Sequence, residues 1–199
     1  MNKLLPILAL PLLVSCDASK PGRQGGTEGQ TAEADIVEAN APDIQSPEPI
    51  IYLADNLDEQ DRLGYCIDTG GRGFGDSLHV HSCKPTGEDV LFYYDEETQQ
   101  IRSATYPGFS AATVGGPSIG MKISLVESDP ASSEQKFIYD KASGEFRPRD
   151  NTELCLAAGS ESDDAGPYMS RTLTLQPSES TDKKLKTWII KGSKPANTD

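Results

Sequence analysis

Two histidines, His79 and His81, alternate around Val80, so on a strand they share one face while Val80 points the other way. Two imidazoles on one face could begin a metal site with Asp76 or Asp68 beside them. No third ligand is evident from the spacing, and His-x-His alone defines no such site. A strand face turned to solvent is the simpler expectation, and no metal or other cofactor is expected. Asp68 and Asp89 are the other polar candidates nearby, and Asp68 is equally readable as a turn residue that bonds its own loop. Gly70-Gly71-Arg72-Gly73-Phe74-Gly75 has the composition of a phosphate-binding loop but lacks its strand-loop-helix setting and its terminal Lys-Ser/Thr. The acidic segment Glu161 to Asp164 lacks the regular spacing of a calcium loop. Cys155 has no histidine placed to activate it. No carboxylate pair, triad or metal set is legible, so no catalytic residues are assigned and the chain is read as a non-enzyme.

The elements that must position these residues are short strands. Ile50 to Leu53, Leu78 to His81, Val90 to Tyr94, Met121 to Val126, Lys136 to Tyr139, Leu173 to Leu175 and Thr187 to Ile190 are strand-like runs with turn residues between them. The chain also echoes itself. Phe92-Tyr93-Tyr94-Asp95 returns as Phe137-Ile138-Tyr139-Asp140 and, more loosely, as Trp188-Ile189-Ile190-Lys191. Upstream of these anchors, Gly64-Tyr65-Cys66-Ile67-Asp68 corresponds to Gly108-Phe109-Ser110-Ala111-Ala112 and Glu153-Leu154-Cys155-Leu156-Ala157. Three copies of a unit that cannot bury its own apolar face must pack on one another. Repeat starts fall at Ile51, Ile101 and Phe146, and Ser160 to Tyr168 reads as a surface loop inserted in the third copy.

The N-terminus carries an address. Met1-Asn2-Lys3 precedes an apolar run from Leu4 to Val14, which is short of the roughly 20 residues a membrane crossing needs. Leu13-Val14-Ser15-Cys16 resembles a bacterial lipobox, which implies cleavage before Cys16 and acylation of that residue. The acyl chains would anchor the protein to a membrane. Between Asp17 and Asp61 there are 11 acidic and 2 basic residues, so most of the net charge of −13 lies in that stretch. Such a segment reads as a solvated, extended tether. No basic and aromatic residues interleave, so nucleic acid is not an expected partner. The expected organisation is a lipoprotein signal peptide at 1–15, a disordered acidic linker at 16–48, a folded domain at 49–192 and a tail at 193–199. The expected location is the bacterial cell envelope, lipid-anchored at the inner or outer membrane, with the domain in the periplasm or at the cell surface.

In each copy a Cys-Ile/Leu-Asp-like strand is followed by a Val-x-x-Cys-like strand and a Gln-x-Trp-like anchor. This pattern resembles the ricin B-type lectin domain, a β-trefoil. The anchors are Val90-Leu91-Phe92, Gln135-Lys136-Phe137 and Lys186-Thr187-Trp188. The resemblance implies an all-β trefoil of three repeats and a disulfide between Cys66 and Cys83, with Cys155 left as a buried thiol whose partner position near Leu175-Gln176 holds no cysteine. It also implies a carbohydrate site in repeat 1, with Asp68 as hydroxyl acceptor, His81 as stacking platform and Asp89 as auxiliary acceptor. Val90 stands where the family has its glutamine. Ala112 and Ala157 replace the aspartate in the other two repeats. The implied function is a membrane-anchored, carbohydrate-binding module. The alternative is a trefoil that has lost sugar binding and serves as a protein-interaction or toxin-accessory scaffold. The implied partners are accordingly a glycan or an envelope protein.

Overall fold

The computed structural model describes residues 40–70, 74 and 76–196. The signal peptide, Cys16, the linker as far as residue 39 and most of the Gly70 to Gly75 loop lie outside them. Repeat 1 consists of β1 (Ile50–Leu53), β2 (Tyr65–Asp68), β3 (His79–Ser82) and β4 (Phe92–Asp95). Repeat 2 consists of β5 (Gln100–Ser103), β6 (Phe109–Ala112), β7 (Ser124–Glu127) and β8 (Phe137–Asp140). Repeat 3 has β9 (Glu145–Pro148), β10 (Leu154–Ala158), β11 (Asp163–Ala165), β12 (Tyr168–Pro177) and β13 (Trp188–Lys191).

The pairing has threefold logic. Within each repeat the second strand forms an antiparallel hairpin, β2 with β3, β6 with β7 and β10 with β12. Between repeats, the last strand of one pairs with the first strand of the next, β4 with β5 and β8 with β9. β13 returns to β1 and closes the ring. The register is the same at each junction: Phe92 faces Ser103, Phe137 faces Pro148, and Trp188 faces Leu53. This is an all-β trefoil, and the three anchor rings are fully buried in its core. The recurring aspartates at the ends of β4 and β8 are turn formers. Asp95 Oδ1 accepts from the Glu97 and Thr98 amides, and Asp140 Oδ1 accepts from the Ala142 amide.

One position beneath each hairpin is built three ways. The amides of Cys83, Ser128 and Ser178 donate to the carbonyls of Gly64, Gly108 and Glu153, which makes those three residues equivalent. In repeat 1 a disulfide joins Cys66 to Cys83 with their Cα atoms 5.0 Å apart, wrapped by Ile50 and Val90. In repeat 2 Gln135 replaces it, its Oε1 accepting from Gln100, Ser110 and the Asp129 amide at 2.7–2.8 Å. In repeat 3 Glu145 receives Lys186 Nζ at 2.9 Å and the Ser178 hydroxyl at 2.6 Å, beside the buried thiol of Cys155. The partner position of Cys155 is therefore Ser178, not the Leu175-Gln176 pair expected from sequence. Burial first, and then the charge of Glu145, pushes the Cys155 thiol up to about 11, so it stays protonated at neutral pH.

Two boundaries differ from expectation. Residues 40–48 were expected in the linker, but they pack on repeat 1. The Asp43 amide donates to the Arg62 carbonyl, the Ser46 hydroxyl donates to the Lys84 carbonyl, and Ile44 covers the Cys66–Cys83 cluster. A composition averaged over the whole acidic stretch hides this short apolar anchor. The insertion expected as a surface loop is partly a hairpin, in which β11 pairs with an extended β12. β12 in turn lies against β3, with Ser170 opposite His81 and Thr172 opposite His79.

Trp188 also donates from Nε1 to the Leu156 carbonyl at 2.9 Å. Trp188→Ala should cost about 3–5 kcal/mol through the cavity left and the orphaned carbonyl. Urea unfolding of the two proteins, compared at equal slope, measures it.

Candidate functional site

The side chain of Asp68, at the end of β2, is almost wholly enclosed, with 1% of its surface exposed. A buried carboxylate needs compensating partners. Asp68 Oδ1 accepts from the Gly70 amide at 3.2 Å and lies 3.3 Å from His79 Nε2. Oδ2 lies 2.8 Å from Lys84 Nζ, which also donates to Asp89 Oδ2 at 2.7 Å. Burial opposes ionisation of Asp68, but His79 and Lys84 outweigh it and hold its pKa below the usual carboxylate value. Burial likewise works against the Lys84 ammonium, and Asp68 and Asp89 reverse that, raising its pKa. The three side chains form one charge-assisted unit.

The local backbone makes this unit possible. Gly70 has φ of 67°, and a Cβ there would sit 2.7 Å from the Ser77 carbonyl oxygen. A Cβ on Gly87 would meet Asp89 Oδ1 at 2.9 Å and the Lys84 side chain at 3.0 Å. Glycine at 87 thus lets the loop from Lys84 to Asp89 fold back on itself.

His79 and His81 share a face, as their alternation requires, with ring centroids 5.6 Å apart. That face opens on a cleft rather than on open solvent, because Tyr168 of the insertion lies across it, 5.6 Å from the His81 ring. His81 is only 8% exposed. Its Nδ1 lies 3.0 Å from the Ser82 carbonyl oxygen, which can only accept, so Nδ1 carries the proton and Nε2 is left as an acceptor. Burial, stronger than that bond, lowers the His81 pKa, so the ring is neutral at pH 7. Among the described residues no group of three His, Cys, Asp or Glu is arranged to hold a metal ion.

Asp68, His81 and Asp89 all line this one cleft of about 820 Å³, together with Lys84, Tyr106 and Tyr168. Sequence reading missed the last three. Lys84 was within reach, as a cation directly after a half-cystine and just ahead of the acids Glu88 and Asp89. Tyr106 and Tyr168 come from the other two repeats, and no local pattern points to them. The equivalent places in repeats 2 and 3 hold Ala112 and Ala157, both buried. Gln135 and Lys186 beside them are spent on internal bonds.

Replacing Lys84 by Met strands Asp68 and should cost about 3–5 kcal/mol at neutral pH. Asp68 with a lowered pKa contributes stability above its unfolded value of about 3.9, and that contribution is lost as pH falls through the lower, folded value. In Lys84→Met the Asp68 pKa rises, so the stability gap between variant and parent should narrow below about pH 4. Denaturant melts across pH 3–7 check both points.

No family model matches the sequence, and no curated protein matches it. Among solved structures, the agglutinin from Abrus precatorius aligns with a TM-score of 0.52 at 14% identity, over 73% of this chain and 47% of its own. This chain therefore spans about half the length of that agglutinin. The C-half of an earthworm R-type lectin in complex with GalNAc aligns at a TM-score of 0.49 and 16% identity, over 72% of this chain and 98% of its own. The β-trefoil lectin of Vibrio vulnificus hemolysin/cytolysin, with N-acetyl-D-lactosamine bound, gives 0.48 and 14%, over 73% of this chain and 93% of its own. Three hairpins in common register, closed into a ring by β13 on β1 and matched by the agglutinin, give this domain the β-trefoil fold of ricin B-type lectins.

Proposed function

We propose that this chain is a non-enzymatic carbohydrate-binding module, held at the bacterial cell envelope by lipid on Cys16, with one sugar site in repeat 1. The observation that carries the reading is the convergence of Asp68, Asp89 and Lys84 on a cleft walled by aromatic rings. A sugar offers hydroxyls that both donate and accept, and an apolar face. The Asp89 carboxylate accepts, the Lys84 ammonium donates, Asp68 buried beneath them holds Lys84 in place, and the rings supply a surface for the apolar face. Lys84 fills the role left vacant by the glutamine that Val90 replaces, since it is the partner that orients Asp68. The R-type and β-trefoil lectins named above were solved with sugars bound, which is consistent with this reading.

Glycan-array binding tests it, with the protein displayed multivalently because single sites of this kind are weak. Binding that falls at least tenfold in Asp68→Asn, in a variant that is less stable but still folded at the assay temperature, is the expected result. A folded protein that binds no glycan would sink the sugar reading and favour the protein-interaction or toxin-accessory scaffold, to be pursued by capture of an envelope protein partner. The anchor is tested separately. In the bacterial host, Cys16→Ala should abolish incorporation of labelled palmitate and move the protein from the membrane fraction to the soluble one. Retention of the label would overturn lipidation at Cys16.

A further inference from the structure

The insertion in repeat 3 is not a passive excursion. Its hairpin runs from Asp163 opposite Ser170 to Ala165 opposite Tyr168, and the tip at Gly166-Pro167 overhangs the repeat 1 cleft. The base is fixed at several points. Arg171, 4% exposed, donates from Nη1 to the Gly159 carbonyl at 2.6 Å and from Nη2 to Asp58 Oδ1. Its guanidinium lies 4.9 Å from the centre of the Tyr65 ring. Asp58 Oδ2 also accepts from the Ser162 hydroxyl at 2.6 Å. The Met169 amide, next to Tyr168, donates to the Ser82 hydroxyl at 3.0 Å, and that hydroxyl donates to the buried Glu59. A wall held this firmly is formed before any ligand arrives, and its ordering cost is not charged to binding.

The opposite wall comes from repeat 2. Tyr106 lines the cleft, with Phe74 packed edge-on against it at 5.3 Å. The floor, Asp68 with Lys84 and Asp89, lies between two half-buried tyrosines contributed by different repeats. At about 820 Å³ the cleft is near the upper end of the roughly 300–1,000 Å³ range of ligand sites, which is more than one sugar ring on the floor would occupy. His81 is covered, so the accessible ring on the insertion side is Tyr168.

We propose that Tyr168 is a specificity-determining residue of this cleft, selecting saccharides of two or more units by stacking the second unit against the Tyr168–Pro167 tip while the first is held by Lys84 and Asp89, which the buried Asp68 positions. The proposal rests on the carbohydrate reading of the same site. It is tested with the full chain on an array that prints galactose, glucose and N-acetylglucosamine beside lactose and N-acetyllactosamine. The wild-type chain should bind a disaccharide at least tenfold more tightly than either component sugar. Tyr168→Ala should weaken disaccharide binding at least tenfold more than it weakens monosaccharide binding, which removes the preference. Tyr168→Phe should restore the preference, and Asp68→Asn should lose both classes. If Tyr168→Ala leaves the preference intact, or weakens both classes equally, the proposal is overturned and the sugar reading stands. If the wild-type chain binds none of the five probes, both fall together.

Discussion

The antiparallel pairing of β13 with β1 is the constraint on which the rest of the structure depends. Trp188 opposite Leu53 and Ile190 opposite Ile51 complete a ring whose other two junctions have the same register. Each repeat has an apolar face that only its neighbours can cover, and with the ring open both ends would present unpaired strand edges. Closure also makes repeats 1 and 3 neighbours. The contact of β12 with β3, and with it the whole insertion-side wall of the cleft, exists only because the chain returns to its start.

The second lesson is chemical substitution at a fixed geometric demand. Beneath each hairpin the fold needs something to hold the segment that follows the third strand. Repeat 1 uses a covalent bond, repeat 2 an amide that satisfies four groups, and repeat 3 a carboxylate matched to a lysine. The three solutions carry different risks. The disulfide acts largely by limiting the unfolded chain. The amide hub and the ion pair must each repay the removal of polar groups from water, which they do by leaving few of their lone pairs idle. Burial of Glu145 opposes its charge, and Ser178, Lys186 and Arg147 overcome that, lowering its pKa.

This substitution explains what the sequence revealed and what it hid. The strands were legible because apolar residues recur at fixed distances from Phe92, Phe137 and Trp188, and packing on a shared core forbids drift there. The disulfide and the Asp68 neighbourhood were legible through family resemblance. The equivalence of Ser178 to Cys83 was not, because β12 is lengthened by the insertion and simple counting slips by two or three residues. The docking of residues 40–48 on repeat 1 was masked by the acidic composition around it. Tyr106 and Tyr168 were invisible for a different reason. They reach the cleft by tertiary closure, and periodicity reports only what is near in the chain.

The hairpin tip that carries Tyr168 is separated from Asp68 by half the length of the chain, and it depends on the repeat that holds Asp68 for its place. A chain made from its N-terminus therefore spends most of its synthesis with the floor present and the wall missing. Contacts this distant in sequence form late, after the closure entropy of the long intervening loop has been met. Assembly of the cleft is thereby coupled to completion: fragments, stalled chains and unclosed rings lack its insertion-side wall, and only a finished molecule presents both walls.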